Sequence, residues 1–196
     1  MFRFYHRLPI RYLLLLLGAL CAADWAAMCQ AAAVPDVMAE KTPVVPAMPV
    51  HFDKGSDTGL PIPRFISLVS DEVNMRVGPG FQYPIEWTYR RKGLPIEVER
   101  EFDVWRLVRA PDGGRGWVHE ATVSGIRTFI VVGGTHDLRR APEADAPIAA
   151  VLDPGVIGTI RRCKAGDDWC AVRVGNHRGY LPRKDFWGTF AGEAVR

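Results

Sequence analysis

Catalytic signatures are absent from this sequence. It contains no Gly-x-Ser-x-Gly nucleophile elbow, no His-Glu-x-x-His zinc motif and no Gly-Lys-Ser/Thr phosphate loop. Each of these patterns holds a nucleophile, a metal or a phosphate in place for reaction, so their absence argues against the common hydrolase and nucleotide-dependent classes. We expect no enzymatic activity, no cofactor and no bound metal. A hydrolase with an unrecognised site is the remote alternative.

An excess of charge of one sign is also lacking. The 196 residues carry 25 Lys and Arg against 22 Asp and Glu, a formal net charge of +3. Three of the arginines and one of the aspartates fall within residues 1–33, so the rest of the chain is nearly neutral. Nucleic-acid binding depends on clustered positive charge. We therefore expect no nucleic-acid partner.

Cysteine is scarce. Of the four cysteines, two lie in an apolar N-terminal segment, which leaves Cys163 and Cys170. The intervening residues favour a return of the chain, and cysteines on neighbouring antiparallel strands are close enough for a disulfide. Zinc binding with His136 or His177 is a weaker alternative, because the spacing is not that of zinc ligands. Nucleophilic catalysis by Cys170 is weaker still, because no suitable His follows it.

Amphipathic helices are missing as well. The chain has 15 Pro and 19 Gly together with many aromatic and β-branched residues, a composition that favours short strands joined by turns. Hairpin signals occur at Pro-Asp-Gly-Gly, residues 111–114, and at Gly175-Asn176. The sequence therefore predicts an all-β protein.

The one long apolar run is at the N-terminus. Three arginines within the first eleven residues precede the apolar stretch Tyr12–Ala23, and three alanines follow at residues 31–33. This layout is typical of a secretory signal peptide. We expect a signal peptide over residues 1–33 and a periplasmic or secreted chain. The alternative is an uncleaved helix that anchors the chain to the inner membrane, since about 20 apolar residues can span a bilayer; only then would a membrane be a partner.

The next segment, residues 34–63, contains six prolines. Proline interrupts helices and the interior of sheets. The sequence predicts a Pro-rich linker here, extended and poorly ordered.

The remaining chain contains an internal repeat with a period of about 63 residues. In the first copy the repeated positions are Met75-Arg76, Pro79, Pro84-Ile85, Gly93, Trp105 and Gly116-Trp117-Val118. Their counterparts in the second copy are Leu138-Arg139, Pro142, Pro147-Ile148, Gly155, Trp169 and Gly179-Tyr180-Leu181. A fixed period of this kind indicates two copies of one small domain. A domain of about 60 residues is marginally stable alone, so docking of the copies or a covalent staple would help.

Within the first copy, the pattern predicts a first strand at Phe65–Val69 and a loop over residues 74–84. Ile85, Trp87 and Tyr89 then alternate with polar residues, the period of a half-buried strand.

Five short motifs occur in order in the first copy and resemble those of bacterial SH3-like domains. They are residues 74–80 (NMRVGPG), Tyr83-Pro84, residues 91–93 (RKG), residues 105–108 (WRLV) and residues 116–119 (GWVH). The resemblance implies two tandem small SH3-like β-barrels, over residues 64–125 and 126–188, with residues 189–196 as a C-terminal tail.

Four residues of the first copy are candidates for ligand binding. Phe81 and Tyr83 lie beside the Gly-Pro-Gly of the loop, and Trp87 follows on the next strand. An aromatic shelf of this kind can stack on extended peptides or sugar rings. Arg76 can pair with a ligand carboxylate. Local packing for the aromatic residues, and a bond from Arg76 to its own loop, are the structural alternatives.

The second copy departs from this pattern. Glu143-Ala144-Asp145 replace Gly80-Phe81-Gln82, and Ala150 replaces Trp87. We therefore expect binding to reside chiefly in the first copy.

The resemblance implies a binding role without catalysis. We expect an exported module of the bacterial cell envelope that recognises cell-wall peptide or glycan, or an envelope protein. The alternatives are a structural protein–protein adaptor without a small ligand and, remotely, a cell-wall hydrolase.

Overall fold

The computed structural model describes residues 53–196, all of which belong to one compact unit. The predicted signal peptide and most of the predicted linker lie outside these residues. The described part is built from β-strands and two short 3₁₀ turns, and none of its helices is long and apolar enough to cross a membrane. The all-β prediction is confirmed.

The first repeat forms a curled antiparallel sheet of seven strands in the order β5-β4-β8-β7-β6-β3-β9. Its strands are β3 (Arg64–Leu68), β4 (Val73–Arg76), β5 (Ile85–Tyr89), β6 (Pro95–Phe102), β7 (Trp105–Arg109), β8 (Arg115–His119) and β9 (Val123–Ser124). A 3₁₀ turn, Glu120–Thr122, joins the last two strands.

The second repeat has the same plan, with the strand order β12-β11-β15-β14-β13-β10-β16. Its strands are β10 (Thr128–Val131), β11 (His136–Arg139), β12 (Ile148–Leu152), β13 (Ile157–Cys163), β14 (Trp169–Val174), β15 (His177–Pro182) and β16 (Phe186–Trp187). Here too a 3₁₀ turn, Arg183–Asp185, precedes the last strand.

The two sheets share their irregularities as well as their order. Met75 pairs with Trp87 and Arg76 with Ile85, so Glu86 forms a β-bulge in β5. In the second repeat Leu138 pairs with Ala150 and Arg139 with Ile148, which leaves Ala149 in the same position. The repeat seen in the sequence is therefore a repeat of backbone geometry.

Each repeat has its own apolar core. The first is built around Met75, Val98 and Val108, and the second around Phe129 and Leu138, all of them almost fully buried. These side chains come from strands with inward-facing apolar positions, which curl so that the apolar face closes on itself.

The repeats also pack on each other. The Phe65 ring of the first repeat contacts Trp187 and Phe190 of the second, with ring centroids 4.7 Å apart in both pairs. Ile130 of the second repeat is buried in the core of the first. The Ser67 hydroxyl lies 2.7 Å from the Thr128 hydroxyl in a buried hydrogen bond. Docking thus adds buried surface to two domains that are individually small.

The end of the predicted linker differs from an extended spacer. Its last residues form a hairpin in which β1 (Asp53–Lys54) pairs antiparallel with β2 (Pro61–Ile62). Ile62 packs against the core of the first repeat. Composition alone indicated disorder, but this short hairpin is stabilised by a distant part of the chain.

That distant contact is Glu101, whose side chain has no exposed surface. Its carboxylate accepts hydrogen bonds from the Asp57 and Thr58 backbone N–H groups at 3.0 and 2.9 Å and from the Thr58 hydroxyl at 2.7 Å. Arg64 adds an ion pair at 2.6 Å. Burial by itself would raise the pKa of Glu101, but the hydrogen bonds from Thr58, Arg64 and Asp57 outweigh it and lower the pKa to about 2.

The predicted disulfide is confirmed. Cys163 and Cys170 pair across β13 and β14 and are joined by a bond between their sulfur atoms. Both residues lie in the second core.

The last eight residues are not a free tail. Val195 is buried and forms an isolated bridge with Cys163. The Glu193 carboxylate accepts bonds from both terminal nitrogens of Arg127, at 2.6 and 2.9 Å. The C-terminus therefore completes the second core.

Two details of the first repeat also differ from the prediction. Residues 74–84 were predicted as a loop, but Val73–Arg76 form β4 and only the later residues are loop. In β5, Tyr89 is buried as predicted while Ile85 and Trp87 are exposed. The reason is that β5 is the outermost strand of its sheet, beyond the reach of the core.

Candidate functional site

Phe81 lies at the tip of the loop between β4 and β5 and is the most exposed large apolar side chain described, at 70%. Its ring meets Trp105 edge to face at 5.1 Å between centroids and stacks on His119 at 5.5 Å. Trp105 and His119 are themselves a cross-strand pair of β7 and β8. The result is a three-ring cluster with one face open to solvent.

His119 is held in one orientation. Its Nδ1 accepts a hydrogen bond from the Ala121 backbone N–H at 3.1 Å and so caps the 3₁₀ turn. In the neutral ring the proton must then be on Nε2. Trp105 is buried and His119 is half-buried, and both rings lie under Phe81.

Arg76 bonds to its own loop. Its Nη1 donates to the carbonyl oxygens of Phe81 at 3.2 Å and Tyr83 at 2.7 Å. The guanidinium also lies 5.6 Å from the centre of the Phe81 ring, within the range of a cation–π contact. In the second repeat Arg139 donates in the same way to the Ala146 carbonyl at 2.8 Å. Since both repeats use this bond, the arginine shapes the loop and thereby positions Phe81.

Tyr83 packs on the loop that carries it. A Cβ atom added at Gly78 would come within 2.5 Å of the Tyr83 ring. The glycine therefore allows the ring to lie directly on the backbone. Tyr83 remains partly exposed.

Trp87 lies apart from the three-ring cluster. It is 57% exposed, and its nearest ring is Tyr89, at 6.4 Å between centroids. With Tyr89 it lines a shallow groove that also contains Ile130 and Val132 of the second repeat. No ring contact joins Trp87 to Phe81 in residues 53–196. The predicted single shelf is therefore two neighbouring aromatic features.

The exposed apolar side chains of the first repeat are concentrated in one short segment of the chain. Ten large hydrophobic side chains are exposed in the described structure, and five of them fall in the eleven residues from 77 to 87. They are Val77, Phe81, Tyr83, Ile85 and Trp87. We call this set the apolar strip. Exposed apolar side chains concentrated in one short segment are a candidate interaction surface.

The second repeat presents a groove where the first has the Phe81 ring. Trp169 pairs with Pro182 across β14 and β15, as Trp105 pairs with His119. The counterpart of Phe81 is Ala144, which is too small to cover the indole. A groove of about 740 Å³ lies there, lined by Ala144, Trp169 and charged side chains. Sequence reasoning took the loss of the aromatic side chain as loss of a site, although a missing side chain also opens space.

Four side chains whose chemistry could serve catalysis are engaged in structural contacts. Cys163 and Cys170 are bonded to each other. The Tyr89 hydroxyl donates to Asp112 at 3.0 Å, and burial together with that carboxylate raises the pKa of Tyr89 above its ordinary value. Burial raises the pKa of Glu97, and the ion pair with Arg109 offsets part of this rise. No group of three or more metal-ligating side chains occurs in the described residues.

Comparison with solved structures places two proteins of Trichomonas vaginalis beside this chain. They are NlpC2, 11% identical over 64% of this chain, and NlpC1, 10% identical over 68%, each with a TM-score of 0.30. In both cases the match covers 48% of the other chain, so this chain spans about half of their length. The comparison with curated proteins gives no match.

The family comparison is specific. The sequence matches the bacterial SH3 domain twice, over residues 69–125 and 133–188. The two matches fall on the two curled sheets and together cover more than half of the chain. The chain is a member of the bacterial SH3 domain family, with two domains in tandem.

Proposed function

We propose that this chain is an exported, non-catalytic binding module of the bacterial cell envelope. Bacterial SH3 domains are binding modules. The apolar strip of the first repeat holds an extended peptide segment, either of the cell wall or of an envelope protein. The observation that carries the proposal is the Phe81 side chain, 70% exposed and yet fixed on Trp105 and His119.

The geometry supports recognition over reaction. Arg76 and the Tyr83–Gly78 contact hold the loop before any ligand arrives, and a preformed loop lowers the entropic cost of binding. Aromatic side chains that are rigid and exposed are typical binding hot spots. The strip offers apolar contact area and no nucleophile.

Export is proposed from the N-terminal segment and agrees with the disulfide. Disulfides persist in oxidising compartments such as the periplasm. Export is tested by fractionating the native host and measuring the intact mass of the chain in each fraction. We expect a processed species in the periplasmic or secreted fraction, and a full-length species in the membrane pellet would favour the anchored alternative.

Retention assays separate the two partner classes. The purified chain is applied to washed peptidoglycan and, separately, to immobilised envelope proteins. Retention on peptidoglycan supports the cell-wall peptide, whereas retention on protein alone supports the adaptor role. In either case the Phe81→Ala and Trp87→Ala variants should lose retention, and full retention by both variants contradicts the proposal.

A further inference from the structure

We propose that the second repeat carries a separate site, the groove over Trp169, which binds a short zwitterionic peptide bearing both an ammonium group and a free carboxylate. The proposal goes beyond the function assigned to the apolar strip, because it concerns the other repeat and a different ligand chemistry.

The groove exists because the second repeat lacks the ring that fills this place in the first. Phe81 covers Trp105 in the first repeat, and its counterpart Ala144 leaves Trp169 uncovered. No aromatic ring packs on Trp169 within the described part of the chain. The volume of about 740 Å³ is in the range of small-ligand sites.

Most of the charged side chains that line the groove are already engaged. Arg139 pairs with Asp137 at 2.7 Å and bonds the Ala146 carbonyl. Arg183 donates to four backbone carbonyl groups, including those of Asp167 and Glu193. These side chains therefore hold the sides of the groove in place and are not free to bind a ligand.

Two charged groups at the groove are left for a ligand. Asp168 and Lys184 are both exposed, and neither forms an ion pair within 4 Å among residues 53–196. Asp185 lies on the same wall, where its carboxylate is 3.5 Å from the His136 Nδ1. The groove thus offers, beside the Trp169 indole, one cation and one carboxylate that form no ion pair within 4 Å among the described residues, although Asp168 also interacts with the charge of Arg183.

The first repeat has no such pair. The counterpart of Asp168 is Val104, and the counterpart of Lys184 is Ala121. Thr122 stands where the second repeat has Asp185. The second copy therefore differs from the first in two ways at this place: it lacks the Phe81 ring, and it has charged residues where the first copy has uncharged ones.

The ligand chemistry follows from this arrangement. Lys184 is a donor for a carboxylate, and Asp168 is an acceptor for an ammonium group. The indole of Trp169 attracts a cation over its face. The space beside Ala144, which the Phe81 ring fills in the first repeat, leaves room for a ligand side chain. A short peptide with a lysine-like amine and a free C-terminal carboxylate combines these features.

The test uses nuclear magnetic resonance on the purified chain labelled with ¹⁵N. The probe is the peptide Nα-acetyl-Lys-Ala, titrated while the Trp169 indole N–H and the amides of Ala144 and Lys184 are followed. Two matched peptides each lack one charge: the C-terminal amide has no carboxylate, and the Nε-acetylated form has no ammonium group. We expect saturable shifts with the probe and affinity at least about threefold weaker for each capped peptide.

Variants assign each charge to its partner. The Lys184→Gln variant should bind the probe and its C-terminal amide with equal affinity. The Asp168→Asn variant should bind the probe and its Nε-acetylated form with equal affinity. Ala144→Phe should close the groove and remove the shifts. Lys92→Gln and Asp145→Asn, exposed residues outside the groove, are the matched controls and should change nothing.

Absence of saturable shifts at Trp169, or equal affinity of the unaltered chain for all three peptides, overturns the proposal. So does unchanged binding in both Lys184→Gln and Asp168→Asn, which are surface substitutions that leave the fold intact. The Phe81→Ala and Trp87→Ala variants should bind the probe normally. Failure of this site is therefore distinguishable from failure of the apolar strip.

Discussion

Phe81 rests edge to face on Trp105, with ring centroids 5.1 Å apart, although Trp105 is 5% exposed and Phe81 is 70% exposed. A core residue thus supports a surface residue. The contact attaches the apolar strip to the core of the first repeat. The two rings have different roles, because Trp105 packs in the core whereas Phe81 is available to a ligand.

The two rings should respond differently to truncation. Trp105→Ala removes a buried ring and should cost about 3–5 kcal/mol of unfolding free energy. Phe81→Ala removes one exposed aromatic contact and should cost about 1 kcal/mol or less. Urea unfolding of both variants measures this. A large loss in Phe81→Ala would mean that Phe81 is a packing residue and not a binding residue.

Acid should weaken the attachment of the N-terminal hairpin. The folded-state pKa of Glu101 is about 2, below its ordinary value of 4.5. A lowered pKa stabilises the fold above the unfolded-state value, and that stability is lost as the pH falls towards 2. The shift corresponds to a contribution on the order of 3 kcal/mol at neutral pH.

Glu101→Gln tests this linkage. The variant should be less stable than the unaltered chain at pH 7, and the difference should shrink as the pH falls from about 5 towards 2. Glu143→Gln, at an exposed loop position, is the matched control and should follow the unaltered chain. A stability difference for Glu101→Gln that is constant from pH 7 to 2 would contradict the role given to the carboxylate.

The disulfide should stabilise the second repeat. Cys163 and Cys170 are seven positions apart, and closing so short a loop contributes about 2.5 kcal/mol at most by chain entropy. We expect the double variant with Ser at both positions to unfold at a lower urea concentration. Equal midpoints for the variant and the unaltered chain would show that the bond is dispensable.

Phe65 should couple the unfolding of the two repeats. It is 5% exposed, and its ring contacts are Trp187 and Phe190 of the other repeat. Phe65→Ala should cost about 3–5 kcal/mol and split one calorimetric transition into two. Phe102→Ala, whose ring is exposed, is the control and should keep one transition. A single transition in Phe65→Ala would place the coupling elsewhere.

Much of the fold could be predicted because its signals are local or periodic. The repeat fixed the number of domains, and Gly175-Asn176 and residues 111–114 marked turns through their own backbone preferences. The disulfide followed from two cysteines around a turn. The strand Val73–Arg76 was missed although its apolar and polar residues alternate. A run of four residues beside Gly-Pro-Gly is too short to distinguish a strand from a loop, and tertiary pairing with β5 and β8 decides its conformation.

The parts that could not be predicted depend on distant contacts. The hairpin at residues 53–62 is stabilised by Glu101, more than forty positions away. Trp87 was placed on one shelf with Phe81, because sequence proximity does not reveal that the loop carries Phe81 back to Trp105 and His119. The groove over Trp169 was missed because it depends on the absence of a ring.

The most direct test of the binding role is retention of the Phe81→Ala/Trp87→Ala double variant on washed peptidoglycan and on immobilised envelope proteins. The matched control is Ile148→Ala/Val151→Ala, which removes two similarly exposed apolar side chains from the second repeat. Thermal melts first verify that both double variants are folded. We then predict that Phe81→Ala/Trp87→Ala loses retention and that Ile148→Ala/Val151→Ala keeps it. Equal retention by the two variants would contradict the assignment of binding to the apolar strip.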